Sequence, residues 1–578
     1  MESHIVTVST PAGYIKGSVK TTRYGSVANQ FLGVPYVQNQ PVGQYRFKKC
    51  DLLTKLPEES FEAVSFGNAA IQPPGFTNPD IQKNEDCLSI NIWTPKMKPE
   101  NQQNATVNPK LRPVFVFIHG GAFQGGTASD RIYNGANLSA SQDIVVVTFN
   151  YRLGVLGFLN LPGVVEPNLG LRDQEVALQW VDSYIECFGG NPNNITLCGH
   201  SAGSVSVAYH SINPNSHFNF ERIILMSGDE KELFDYLLKY LAPTFWSTST
   251  QSNKEDCERS IKYSNEFLIQ NGWKDQQNTT HEVELVQKFL QDLHVEAFHN
   301  QNVKSSGKIM KFIPFMDFDF QSNLIKIQTK LNKIREILIT STQSEGDAFL
   351  CNFLREKISD RLNQNDRELY TGSLARVFER FLPKDAQNGE NYEKICNFYE
   401  GKKVLFGDVE ETLFHKCALA VGNYLSDYPL LKCLKFVLKM KSDATKVYFK
   451  LHDYKQTNGR LPDYFNCTHG YEMPLLFNFL NENHTQKDQD VSVKTMNLVG
   501  ALCRFDEISS EDREQLFGSP VTLNIEKLQP EIKIKNLSIS KTEDDLVKYG
   551  SGDAVNHELA YWDILEFWDE IAPLDYFN

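Results

Sequence analysis

The stretch Ile195–His210, "ITLCGHSAGSVSVAYH", sets Ser201 between Gly199 and Gly203. An apolar, β-prone run leads in, and small, helix-compatible residues lead out. Gly-x-Ser-x-Gly at a strand-to-helix turn has a mechanical reading. The glycines permit a bend tight enough to hold the serine hydroxyl exposed on a strained backbone. Small-residue turns are common, so the surrounding chain must supply the context that makes the pattern chemical.

That context is present upstream. "PVFVFI" (Pro113–Ile118) and "IVVVTF" (Ile144–Phe149) are continuous apolar runs, the pattern of strands buried on both faces. Between the second run and the turn, "LRDQEVALQWVDSYIECF" carries Ala177, Trp180, Val181, Tyr184 and Phe188 at helical spacing. Strand, helix, strand and turn therefore follow one another in the order the serine turn requires. Further strands are expected at 222–226, 335–340 and 446–451. The alternation predicts an α/β protein with a large, mostly parallel central sheet covered by helices. Val286, Phe289, Leu290 and Leu293 form an apolar helical stripe, as do Tyr561, Ile564, Leu565 and Trp568. Residues 230–330 and 350–440 read as helical excursions over the sheet. No repeat and no low-complexity linker divides the chain, so one domain over residues 1–578 is expected.

Composition narrows the function. The 578 residues are 41% hydrophobic and 22% charged, ordinary for a globular protein, and the net charge is −14. Such an acidic chain is a poor partner for nucleic acid or anionic membranes. No apolar run approaches the length of a transmembrane helix. "MESHIVTVSTPAGYIKGSV" does not read as a signal peptide, so a cytoplasmic location is expected, and the seven Asn-x-Ser/Thr sequons then read as chance matches. Eleven dispersed cysteines with no Cys-x-x-Cys pair argue against a disulfide framework and a cysteine zinc site.

A serine hydroxyl needs a base within hydrogen-bond reach, a carboxylate orienting that base, and amide donors aimed at the developing oxyanion. "HGGAFQGG" (His119–Gly126), directly after the Pro113–Ile118 run, is a glycine-rich loop of the kind that presents such donors. The expected chain order is serine, then acid, then histidine. His415, His452, His469, His484 and His557 all lie late in the chain, and spacing alone does not choose among them. His469 is favoured by its loop, "NCTHGYEMPLLF", where a glycine follows it. For the acid, Glu345 follows the 335–340 strand, and sites in open α/β sheets assemble at the carboxyl ends of strands.

Taken in order, "EDCLSINIWTP" (85–95), "FIHGGAF" (117–123), "NYRLGVLGF" (150–158), "FGGNPNNITLCGHSAG" (188–203), "SEGD" (344–347) and "HGYEMPLLF" (469–477) resemble the type-B carboxylesterase/cholinesterase family. The resemblance implies an α/β-hydrolase fold and ester hydrolysis through an acyl-enzyme, with no cofactor and no metal. It implies Ser201 as nucleophile, Glu345 as acid and His469 as base. Gly121, Ala122 and Ala202 would supply the oxyanion amides, and Ser227 a supporting serine near the acid.

The departures from the family pattern are as informative. Thr77, beside Phe76, stands where cholinesterases carry the tryptophan that binds the choline cation. His200 stands where they carry an acid before the nucleophile. Losing a cation–π face and a negative charge points away from choline esters, toward the carboxylesterase branch. Cys87 lacks its usual upstream partner, because "SFGNAAIQPP" has no cysteine, leaving Cys50 as the alternative. "MSGDEKELFDYL" also departs from the segment that shapes the family's acyl pocket. Two other functions share this scaffold. One is acyl transfer to a non-water acceptor through the same triad, and the other is a non-catalytic adhesion protein. All three triad positions are filled, which disfavours the second.

Overall fold

In a computed structural model, the described residues are 5–95, 110–216, 220–227, 251–274, 282–299, 322–342, 386–400, 413–424, 441–452, 467–480 and 484–504, with single residues and short pieces elsewhere. One sheet of eleven strands organises them. In chain order the strands are β1 (Ile5–Thr10), β2 (Gly13–Thr21), β3 (Val27–Pro35), β4 (Ser60–Glu62), β5 (Ser89–Pro95), β6 (Arg112–Ile118), β7 (Val145–Phe149), β8 (Gly190–His200), β9 (Arg222–Met226), β10 (Glu336–Thr342) and β11 (Lys446–His452). Their spatial order is β1-β2-β3-β5-β7-β6-β8-β9-β10-β11, with β4 paired to β2. From β7 to β11 every neighbouring pair is parallel. The β1, β2, β3 and β5 end is antiparallel. This is the α/β-hydrolase architecture expected, with the antiparallel edge added by the first ninety-five residues.

The continuous apolar runs have a direct cause. Side chains alternate across a strand, and here both faces are covered. Val114, Val116 and Ile118 of β6 enter one core, where Ala177, Trp180 and Val181 of the helix Leu169–Tyr184 meet them. Phe115 and Phe117 enter the opposite core, against Leu498, Val499 and Leu502 of the helix Gln486–Cys503. The same split divides Val145 and Val147 from Val146, and Ile337 and Ile339 from Leu338. With each apolar side chain worth about 1.5–3 kcal/mol on full burial, strands apolar on both faces belong at the centre of the sheet. The expected helix ending at Phe188 tightens into a 3₁₀ turn over Ile185–Phe188.

Both expected excursions carry described helices. Gln251–Gln270, Glu282–Asp292 and Leu324–Leu331 lie in the first, and Gly389–Glu400 and Leu413–Gly422 in the second. Val286 and Leu290 are buried in the core, and Phe289 and Leu293 pack against it. Arg46 docks this helix. Its Nη1 donates to the carbonyls of Leu290, Gln291 and Leu293 at 3.1, 2.9 and 2.8 Å, while Glu85 holds the rest of the guanidinium. A buried cation at a helix C-terminus satisfies carbonyls that the helix leaves unpaired. Of the C-terminal stripe, Trp568 is buried, whereas Tyr561, Ile564 and Leu565 lie outside the described residues. Among the described residues, no helix is long and apolar enough to cross a membrane.

Candidate active site

The topology brings the candidate residues to one edge. Strands β6, β8, β9, β10 and β11 are successive parallel neighbours. The glycine loop follows β6, Ser201 follows β8, Ser227 follows β9, and His469 comes after β11. Glu345 follows the end of β10 in the chain and lies outside the described residues. Two backbone bonds fasten this edge laterally. The Ser201 amide donates to the Met226 carbonyl, and the Ser227 amide to the Thr340 carbonyl, each at 2.9 Å.

Ser201 has φ 56° and ψ −126°, a conformation that a residue with a side chain rarely adopts, and it caps the helix Ala202–Ile212. The two glycines explain how the chain reaches it. A Cβ on Gly199 would stand 2.1 Å from the Gly203 carbonyl oxygen, and one on Gly203 would stand 2.0 Å from the Ile118 carbonyl oxygen. Strand and helix approach each other, and β6, more closely than any side chain permits. The Ala202 amide is the first of the helix, one of those that a helix N-terminus leaves without an intrahelical acceptor.

The glycine loop lies against this turn. A Cβ on Gly120 would be 2.6 Å from the His200 carbonyl oxygen and 2.8 Å from Ser201 Cβ. Gly121, Ala122 and Phe123 all have positive φ, at 114°, 57° and 56°, so the chain makes a left-handed turn just past β6. The amides of Gln124 and Gly125 both donate to the Gly121 carbonyl at 2.9 Å, closing the turn. Gly121 and Ala122 directly follow Gly120, the loop residue that touches Ser201.

His469 reaches the site through His200, whose ring packs on the His469 ring with centroids 4.6 Å apart. His200 is buried between Gly120 and Gly470. Its Nε2 lies 3.9 Å from Oε1 of Glu472, and the same Oε1 accepts a 2.9 Å hydrogen bond from Ser227 Oγ. The supporting serine therefore meets a second carboxylate that sequence reading did not single out. Glu472 is 2% exposed. Its one signal was an acid inside the apolar stretch "YEMPLLF", three residues after His469. Of the other candidate histidines, His452 is buried at the end of β11, His484 is half-buried before the helix Gln486–Cys503, and the His415 and His557 side chains lie outside the described residues.

Two earlier histidines are structural. His119 stacks on Tyr151 at 4.5 Å and its Nδ1 bonds the Gly120 carbonyl; burial pushes it down to about 4 against the pull of that bond. His210 bonds Gln174 through Nε2, and burial, helped by Lys330 and Arg172, pushes it down to about 3. Both stay neutral in the fold, whereas an unfolded histidine titrates near 6.5. The unfolded chain thus binds more protons below about 6.5, and stability falls with pH from there toward about 4. Urea midpoints should be lower at pH 5 than at pH 7.5, and a His210→Gln variant should show a smaller drop; equal midpoints for the parent protein would contradict this.

Cys50 and Cys87 are both free thiols, so the alternative pairing does not form. Burial pushes Cys50 up to about 12 and Cys87 well above the ordinary range, leaving two inert thiols beside the buried Arg152–Asp173 ion pair.

The Carboxylesterase family pattern matches residues 2–514. The chain is 30% identical over 488 residues to a cholinesterase of Mus musculus, covering 81% of this chain and 73% of that one. It is 29% identical over 520 residues to an acetylcholinesterase of Bungarus fasciatus, covering 85% and 76%. Over a shorter stretch of 236 residues it is 39% identical to an acetylcholinesterase of Electrophorus electricus, covering 39% and 35%. A serine turn seated among parallel strand ends, and a family pattern running through nearly all of the described sheet, lead to one conclusion: the chain belongs to the carboxylesterase family of α/β-hydrolases.

Proposed function

We propose that this protein is a serine hydrolase of neutral carboxylic esters, acting through an acyl-enzyme. The observation that carries the reading is Ser201 itself, held at φ 56° between two glycines that nothing larger could replace, with the glycine loop packed on its Cβ. Strain of this order is retained where surrounding structure over-determines it, commonly at functional sites.

In the proposed cycle His469 takes the Ser201 proton as Oγ bonds the ester carbonyl carbon. The amides of Gly121, Ala122 and Ala202 receive the oxyanion. The carbon–alkoxy bond then breaks, His469 delivers the proton to the leaving alcohol, and Ser201 keeps the acyl group. Water, deprotonated by His469, repeats the attack, and Ser201 leaves with the proton as the carboxylic acid forms. Glu345 is proposed to hold the imidazole in the required tautomer. His200 in place of an acid, and Thr77 in place of a tryptophan, favour an uncharged alcohol group.

The test compares neutral short-chain aryl or alkyl esters with the matching choline esters. A cation–π contact is worth about 0.5–2 kcal/mol, up to roughly thirtyfold in binding. Neutral esters should match or exceed choline esters in kcat/KM. A preference for choline esters of about tenfold or more would overturn this reading and direct attention to Phe76 as the cation's aromatic partner.

A further inference from the structure

We infer that Gln72 is a positioning residue for the oxyanion loop, joining it to the segment Ala69–Asn84. This rests on the ester-hydrolase reading above. Gln72 is fully buried, and its side-chain amide pairs with the backbone of Gly126 as a strand neighbour would. Oε1 accepts from the Gly126 amide at 2.8 Å, while Nε2 donates to the Gly126 carbonyl at 2.9 Å and to the Ala70 carbonyl at 3.0 Å.

Gly126 is the residue on which the loop rests. At φ 94° it tucks under the start of the loop, where a Cβ would stand 2.4 Å from the Gly120 carbonyl oxygen and 2.8 Å from His119 Nδ1. A displacement of Gly126 would therefore pass to Gly120, which touches Ser201, and to the turn carrying the Gly121 and Ala122 amides. A second contact from the same segment lies one residue earlier. Gly125 lies under the ring of Phe76, since a Cβ built there would fall 2.1 Å from Phe76 Cγ.

The segment that presents Gln72 and Phe76 is closed without a disulfide. The Ala69 amide donates to the Gln82 carbonyl at 2.8 Å, and the Asn84 amide to the Ala69 carbonyl at 2.9 Å. Asn68 Nδ2 donates to the Asp86 carbonyl at 3.0 Å, one residue before the free Cys87. Asn150 steadies the far side of the glycine loop, with Oδ1 accepting from Thr127 Oγ1 at 2.9 Å and the Ala128 amide at 2.7 Å, while its Nδ2 donates to the Asn68 carbonyl at 2.9 Å. Gln72 is the only side chain among these that bonds the glycine loop at Gly126, on both its amide and its carbonyl.

Deleting an oxyanion donor outright costs about 10²–10³ in kcat. Removing the bonds that aim the loop should cost less, about tenfold in kcat, with KM nearly unchanged, because the loss falls on the transition state. The test uses Gln72→Met, which keeps the buried volume and lacks both hydrogen bonds, and Gln72→Ala. Rates are expressed per active site titrated with a fluorophosphonate, which divides out misfolded protein. A trifluoromethyl ketone, which forms a tetrahedral adduct on the serine, reads the oxyanion loop directly. Its inhibition constant should rise by about the same tenfold as kcat falls, a correspondence that a merely structural role would not produce. Variants with wild-type kcat and ketone affinity overturn the proposal, and so does a change confined to KM. Failure of both variants to fold would make Gln72 a residue of the fold rather than of the loop, and would also overturn it. A parent protein that neither hydrolyses the ester nor takes the fluorophosphonate overturns the ester-hydrolase reading itself, an outcome distinct from equal activity in parent and variant.

Discussion

Ser201→Ala should lower ester turnover by about 10⁶-fold, the scale reached when a catalytic serine is removed from a working triad, with the fold left intact. Among the described residues the Ser201 hydroxyl holds no part of the turn. The turn is held by the Ser201 amide on the Met226 carbonyl and by the Val205 amide on the Ser201 carbonyl, and both are backbone bonds. Alanine keeps Cβ and only leaves the Oγ position empty, so the thermal midpoint should move by no more than a few degrees. The residual rate reports the oxyanion amides and substrate binding alone. A variant that keeps a substantial part of its turnover, or still takes a fluorophosphonate, would remove Ser201 from the mechanism.

His469→Ala should cost a loss of the same order, since serine and base act as one unit and removing either disables both. In the parent protein, activity should fall on the acid side as the base is protonated and ceases to accept the serine proton. That acid limb should vanish from the residual activity of the variant. His484→Ala is the control, because His484 is half-buried at the mouth of a different helix. Loss of activity in the control with His469→Ala active would move the role. His200 complicates any simple reading of the limb, since its ring lies 4.6 Å from that of His469 and its Nε2 lies 3.9 Å from Glu472. Kinetics should therefore accompany a urea midpoint at each pH, so that the acid instability expected from His119 and His210 is not mistaken for loss of the base.

The carboxylesterase-family sheet places the glycine loop, Ser201 and Ser227 at the carboxyl ends of adjacent parallel strands, and the His469 ring meets them through His200. The strained serine turn, the glycine loop packed on it and the His200 ring against His469 are the features on which the proposed ester hydrolysis rests. The proposed preference for uncharged alcohols rests on the departures from the family pattern. Beside Thr77, where the family's cholinesterases carry tryptophan, Phe76 packs over Gly125 of the glycine loop.

How much of this was legible beforehand follows from the range of the forces involved. The strands, the helix before Ser201, the stripe at Val286–Leu293 and the serine turn were set by local periodicity and by glycine, which act over a few residues. The strand ends drifted by one or two residues, as at β10, which runs to Thr342 rather than 340, because the final ladder bonds depend on the neighbouring strand. Glu472 bonding Ser227, Gln72 clasping Gly126 and Arg46 capping the helix Glu282–Asp292 join residues 245, 54 and roughly 245 positions apart. No periodicity encodes such pairs, since each side chain looks like an ordinary polar residue until the sheet brings its partner to it. The unpaired state of Cys50 and Cys87 and the neutrality of His119 and His210 were likewise decided by the tertiary structure. Thiol pairing needs proximity, and a histidine's charge needs water, and only the assembled core determines whether either is available.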